Sequence, residues 1–272
     1  MLSRLRKPGP LLLLATLLQG CAALPAAETP DNDGKGPLAR LVGQVVDDHE
    51  RHYSADALLD LLPPLAVAGA LANTNADRWI RDTWQNDARS DASNDFARIF
   101  LRVGDAGQNR ISFPLYSLTL FATGYSGHED RDAALATWAA RSLRANILGG
   151  PQAWALTYML GSHRPDVGHS GWNPWHDNDG VSGHSFYGAV PILTAARMLE
   201  SPAWRYSLYA VSMLPAFARI NDNQHYTSQA VMGWSLAWLA TRTVAGPDDE
   251  NDVVVLPVLT PDGGYVLLSW RF

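Results

Sequence analysis

The chain has 272 residues, 47% hydrophobic and 18% charged, with a formal net charge of −6. That supplies enough apolar side chains for one large buried core. It makes nucleic acid a poor partner, because a phosphate backbone needs a basic surface. Cys21 is the sole cysteine, which excludes an intrachain disulfide.

Arg4, Arg6 and Lys7 open the chain, followed by an apolar run from Leu11 to Leu18 and then Gly20 and Cys21. This is the shape of a secretory signal, too short to span a bilayer stably. The stretch LLQGC resembles the lipobox of bacterial lipoproteins. That resemblance implies cleavage before Cys21, acylation of its thiol, and a place in the envelope of a Gram-negative cell. The periplasmic face of the outer membrane is favoured, since Ala22 is not the aspartate associated with inner-membrane retention. Without residues 1–20 the chain keeps 18 basic against 27 acidic side chains. An anionic ligand therefore needs a local cluster of arginines.

Residues 21–37, rich in Ala, Pro, Asp, Asn and Gly, read as a lipid-anchored flexible tether. LVGQVVDDHERHYS reads as the first helix of a domain over 38–246. ALLDLLPPLAVAGALANT is apolar, but Pro63 and Pro64 should kink or split it. Residues 77–103 read as helical with turns near 86–94. DRDAALATWAARSLRANILGG has helical spacing and a stop at Gly149-Gly150. QAWALTYMLG continues as a helix into the loop SHRPDVGHSGWNPWHDNDG. SGHSFYGAVPILTAARMLE is a helix interrupted by Pro191. AWRYSLYAVSMLPAFARI and SQAVMGWSLAWLATRTV flank the polar stretch ARINDNQHYTSQ. At the end, VVVLPVL, TPDGG and YVLLSWRF read as a β-hairpin over 247–272 that must pack on the helices. A domain on a lipid anchor is preferred to a multi-pass membrane protein.

The polar residues that interrupt the helices carry the chemistry. Arg164 follows one helix; Ser182, Gly183 and His184 precede another; Arg219 and His225 lie just before the last long one. Two arginines, two histidines and a Ser-Gly pair at helix ends suit phosphoryl transfer. Arginine offers a rigid fork of donors for phosphate oxygens. Backbone N–H groups at a helix N-terminus point at an anion. One histidine can attack phosphorus, and another can protonate the leaving oxygen and then activate water.

LTYMLGSHRP, GVSGH and ARINDNQH, within residues 157–229, resemble in order and spacing the three signature motifs of the type 2 phosphatidic acid phosphatase (PAP2) superfamily. The resemblance implies an all-α, PAP2-type helical bundle, here with a small C-terminal β-hairpin. It implies a metal-independent phosphatase acting on a phosphomonoester or lipid phosphate, with no cofactor. Arg164, Ser182, Gly183 and Arg219 correspond to phosphate binders, His184 to the general acid, and His225 to the nucleophile that becomes phosphohistidine.

Three positions depart from the pattern. Thr157 stands where the family has lysine, Ala218 where it commonly has serine, and Gln229 where it has the aspartate that orients the nucleophile. The Gln229 carbonyl can accept the same hydrogen bond without supplying charge. These departures motivate the alternative of a weakly active or non-catalytic protein that binds phosphate or phospholipid. His163 and Arg144 are candidates to replace the lost lysine charge, and Asp222 is a second possible partner for His225 or else a cap. Ser228 shares a helix face with His225 and Gln229. Trp172 and Trp175 either line a substrate rim or fold under their loop. His169, His176, Asp177 and Asp179 are metal-capable types without metal-binding spacing. His49 and His52 read as surface residues or a satisfied pair, and His128 as a turn residue.

Overall fold

The computed structural model describes residues 37–126, 129–246, 253–260 and 263–270. The expected signal, the lipidation site Cys21, most of the tether and His128 lie outside them. The helices are α1 (Pro37–His52), α2 (Ala55–Leu59), α3 (Leu62–Ala72), α4 (Ala76–Thr83), α5 (Asp91–Gly107) and α6 (Asn109–Ser126). They continue as α7 (Glu129–Leu160), α8 (Gly183–Arg197), α9 (Pro202–Ser212), α10 (Leu214–Asn221) and α11 (Thr227–Ala245). A single wide π turn, Trp84–Ala88, joins α4 to the loop before α5.

α11 is the central element. It packs against α8, α7, α3, α10 and α1, and most of its residues are buried. Met232, Leu236 and Ala237 of α11 share one core with Leu148 of α7 and with Phe186, Val190 and Leu193 of α8. Apolar side chains all round a helix require neighbours all round it. A smaller cluster joins Tyr116 of α6 to Ala139 and Leu143 of α7, and Trp138 Nε1 donates to the carbonyl of Pro191, 2.9 Å away.

The segment Ala55–Ala72 is apolar and long enough to cross a membrane by length and composition. It is broken between Leu59 and Leu62 into α2 and α3, and Pro63 and Pro64 fall in the first turn of α3. There a missing N–H costs no helical hydrogen bond.

Two expectations about the fold are corrected. The helix expected to stop at Gly149-Gly150 runs on through Pro151 to Leu160. The glycines serve contact rather than termination. A Cβ on Gly149 would lie 2.6 Å from the Phe186 ring, and one on Gly150 would lie 3.0 Å from the Tyr187 hydroxyl. They let α8 approach α7.

The C-terminal β-hairpin expected as part of the fold is also corrected: the packed domain is all-α. Between residues 37 and 246 every described regular element is helical, and no strand enters a layer of the core. Val253–Thr260 and Gly263–Trp270 form a two-stranded antiparallel ribbon whose strands pair only with each other among the described strands. Their side chains lie outside the described residues, so the expected packing of the ribbon on the helices has no described side-chain contact behind it. The physical reason is that helices already surround α11 and leave no core face that needs a sheet.

Candidate active site

The stretch between α10 and α11 turns back on itself. Asp222 is the C-cap of α10, and Asn223 follows with φ 55°, a left-handed conformation that asparagine tolerates. The carbonyl of Arg219 then accepts from the N–H groups of Gln224 (3.0 Å) and His225 (3.3 Å). This reversal brings His225 back beside Arg219. Asp222 thus ends α10, whereas the expected cap was for the helix that follows, whose N-cap is Tyr226.

His225 is 4% exposed. Its Nδ1 lies 2.8 Å from Gln229 Oε1. That oxygen also accepts from the Tyr226 N–H at 3.1 Å, satisfying an N–H at the start of α11. The Gln229 amide nitrogen donates to Ser162 Oγ (3.0 Å) and to the carbonyl of His163 (2.8 Å). An N–H donor on one side and a carbonyl on the other fix the orientation of the amide. Nδ1 of His225 therefore carries the proton and Nε2 the lone pair. Burial pushes the His225 pKa down to about 3; the Gln229 hydrogen bond opposes this, and Arg219, Arg164 and His184 reinforce it. His225 is neutral near pH 7, as a nucleophile needs to be.

Beneath this turn lies Asp77 of α4, fully buried. Its carboxylate accepts from the Ser228 N–H at 3.0 Å and from the Ser228 hydroxyl. An anion at the N-terminus of α11 satisfies donors that would otherwise be unpaired. Burial nevertheless pushes the Asp77 pKa up, against the hydrogen bonds from Ser228, Ser170 and Thr227. Ser228 thus anchors α11 rather than touching His225.

α8 supplies the second half. Ser182 is its N-cap, fully buried; its hydroxyl accepts from the N–H of Ser185 (3.4 Å) and from the Ser185 hydroxyl (2.9 Å). Its backbone N–H donates to the carbonyl of Gln229 at 3.0 Å, which ties the two helix starts together. Ser182 is therefore the N-cap of α8. Among the described residues, the N–H groups of Gly183 and His184 have no recorded partner, and the space over Gly183 is open to at least 4 Å.

His184 Nε2 lies 2.9 Å from Asp105 Oδ1 of α5. The amide nitrogen of Gln108 lies 2.8 Å from the same Nε2 and 3.2 Å from Nδ1. In the neutral ring Nε2–H donates to Asp105, and the Gln108 side chain lies against the ring edge near both nitrogens. Burial lowers the His184 pKa, as do Arg219 and Arg164; Asp105 opposes them by hydrogen bond and by charge.

Arg219 has a buried Nε with no hydrogen-bond partner among the described residues. Its pKa is lowered by burial first and by the nearby Arg164 second, with Asp222 and Asp105 acting in the opposite sense. Arg164 Nε holds Asp179 at 2.7 Å. Arg164 and Arg219 thus lie close enough to His184 and His225 to lower the pKa of both rings. Two like charges and an unpaired guanidinium nitrogen side by side form a site that attracts an anion.

The remaining candidates divide. Arg144 is not in the site: it grips the buried Asp48 of α1 at 2.6 and 2.9 Å. Thr157 turns its hydroxyl back to the carbonyl of Ala153 (2.9 Å), so nothing replaces the lysine charge there. His163 borders the site through its carbonyl, while its ring faces Asp177 at 3.3 Å. Trp172 packs under the loop against Gly69 of α3, whereas Trp175 is 71% exposed with φ 68°. His176 bonds the carbonyl of Pro174, Asp177 accepts from Asn173, and Asp179 pairs with Arg164. These metal-capable residues therefore serve the loop. His52 is buried between Gln152 (3.0 Å) and Thr243 (3.1 Å), and His49 stacks on Tyr53. Asp77, Asp105, Gln108 and Ser162 are site residues that sequence reading missed. Ser162 lies within the first motif beside Arg164; nothing local marks the other three, which meet their partners across 76 to 151 residues.

No protein-family model, curated protein or solved structure matches the chain.

Proposed function

We propose that the protein is a PAP2-type phosphatase that hydrolyses a phosphomonoester or lipid phosphate through a covalent phosphohistidine at His225. The observation that carries the reading is the unpaired, buried Nε of Arg219 beside the neutral, oriented imidazole of His225. Arg219, Arg164 and the first N–H groups of α8 would hold the nonbridging phosphate oxygens. Nε2 of His225 attacks phosphorus as the bond to the leaving oxygen breaks, and His184 gives that oxygen its proton. Water then attacks phosphorus, His184 takes a proton from it, and the phosphorus–nitrogen bond breaks to release phosphate. Acylation of Cys21, read from LLQGC, would hold the enzyme at a membrane surface of the cell envelope.

A second reading is an anion-binding protein without turnover. It is favoured by the Asp179 carboxylate, which already occupies the Arg164 guanidinium, and by the position of the Thr157 hydroxyl. Phosphate release from aryl and lipid phosphates separates the two. The phosphatase reading expects release that is abolished in His225→Ala. Equal release by wild type and His225→Ala, or none by either, sinks it.

A further inference from the structure

The anion associated with the nucleophile in the family pattern is absent at Gln229, yet the site does contain a carboxylate on a histidine. It is Asp105, on the other ring. We infer that Asp105 is the positioning residue of the proton donor: it holds Nε2 of His184, so that the ring carries a second proton on Nδ1 for the leaving oxygen. This rests on the phosphatase reading of the same site.

The two histidines have opposite needs. A nucleophile needs a lone pair, and a neutral amide orients His225 without favouring its protonation. A general acid must arrive protonated. His184 is faced by Arg219 from α10, by Arg164 from the loop after α7 and by His225 ahead of α11, while Asp105 and Gln108 come from the end of α5. Burial first, and the arginines after it, drive a proton off His184, and Asp105 is the anion that opposes them. At 2.9 Å it accepts Nε2–H and favours the imidazolium by charge as well as by hydrogen bond. Triad logic assigns the orienting carboxylate to one ring nitrogen and the moving proton to the other. Here that arrangement serves the acid instead of the nucleophile. When His184 gives up its Nδ1 proton to the leaving oxygen, the phosphorus–oxygen bond breaks as the bond to His225 Nε2 forms. The ring is left neutral and still bonded to Asp105, ready to take a proton from water in the second step.

Leaving-group dependence tests the assignment. The full chain, Asp105→Asn, Asp105→Glu and His225→Ala are compared on phenyl phosphate, whose leaving oxygen needs a proton, and on 2,4-dinitrophenyl phosphate, whose leaving oxygen does not. Asp105→Asn is expected to lower kcat/KM on phenyl phosphate by about 100-fold, with only about a threefold change on the dinitrophenyl ester. The alkaline limb of its pH profile moves to lower pH, and Asp105→Glu recovers part of the loss. Equal slowing of both esters, or slowing of neither, overturns the inference while wild-type turnover that depends on His225 keeps the phosphatase reading. A wild type that releases no more phosphate than His225→Ala overturns both.

Discussion

Nδ1 of His225 and Oε1 of Gln229 are 2.8 Å apart, and the same oxygen accepts from the Tyr226 N–H at the start of α11. Gln229 therefore does two jobs: it orients the imidazole, and it satisfies an N-terminal N–H of the helix on which the site is built. Its amide nitrogen does a third by holding Ser162 and the carbonyl of His163.

From this, Gln229→Asp should not act as a restoration of the family residue. Aspartate is one methylene shorter and donates nothing, so the carbonyl of His163 would face a carboxylate. The expected loss is about 1–3 kcal/mol for the unmade buried bonds, read as a lower denaturant midpoint. Gln229→Glu keeps the length and should raise the His225 pKa from about 3. An NMR titration of the ring checks this, and an unchanged pKa would show that the group at 229 does not control it.

The pH dependence of stability follows from the same burial. The folded pKa of His225 is depressed, so between about 3 and 6.5 the unfolded chain binds a proton that the folded chain does not. Stability is then highest above pH 6.5 and falls as pH drops, by up to about 1.4 kcal/mol per pH unit for this one group. His52 and His184 are lowered as well and act in the same direction, while Asp77 is raised and opposes them. Comparing wild type with His225→Asn in urea at pH 5 and pH 7 isolates the His225 share. Parallel losses in the two proteins would count against a neutral buried ring.

Arg219, His225, His184 and Arg164 are legible in the sequence because two arginines and two histidines fall in the three polar stretches between apolar helices, in the order and spacing of the motifs they resemble. Their partners were not legible. Asp105 meets His184 across 79 residues and Asp77 meets Ser228 across 151, so no local periodicity marks either. Gly149-Gly150 reads as a stop from sequence because a local rule for helix ends cannot see the Phe186 ring packed over it. The Gln229 carbonyl is legible as the acceptor for His225, and the structure has that contact at 2.8 Å; its bonds to the Tyr226 N–H, Ser162 and the His163 carbonyl are not legible, because they depend on the fold.

Asp77→Ala should loosen the whole site. It strips the acceptor from the Ser228 N–H and hydroxyl, both buried, at an expected cost of about 1–3 kcal/mol. Asp77→Asn keeps an acceptor and should recover part of that loss. Denaturant midpoints give the ranking wild type, Asn, Ala. Indistinguishable midpoints would remove Asp77 from the support of α11.

The Arg164–Asp179 pair predicts a gain of ligand affinity from the loss of a contact. Asp179→Asn removes the carboxylate 2.7 Å from Arg164 Nε and frees that guanidinium for an anion. Inhibition by inorganic phosphate should strengthen in Asp179→Asn and weaken in Arg164→Ala. No change in either variant would place Arg164 outside the anion site.

The close approach of helices predicts which glycines resist substitution. A Cβ at Gly107 would lie 2.2 Å from the backbone oxygen of Tyr187, which cannot rotate away, while at Gly149 it would meet a ring at 2.6 Å. Gly107→Ala should thus cost more than Gly149→Ala, and for Gly149→Ala overpacking of this kind costs about 1–3 kcal/mol. Gly43, inside α1, has nothing within 4 Å of its added Cβ. Gly43→Ala should instead stabilise by up to about 1 kcal/mol, since alanine restricts the unfolded chain and fits the helix. Thermal melts of the three variants order them. Gly107→Ala melting at or above the wild type would mean that α5 and α8 do not approach as closely as the contact at Gly107 requires.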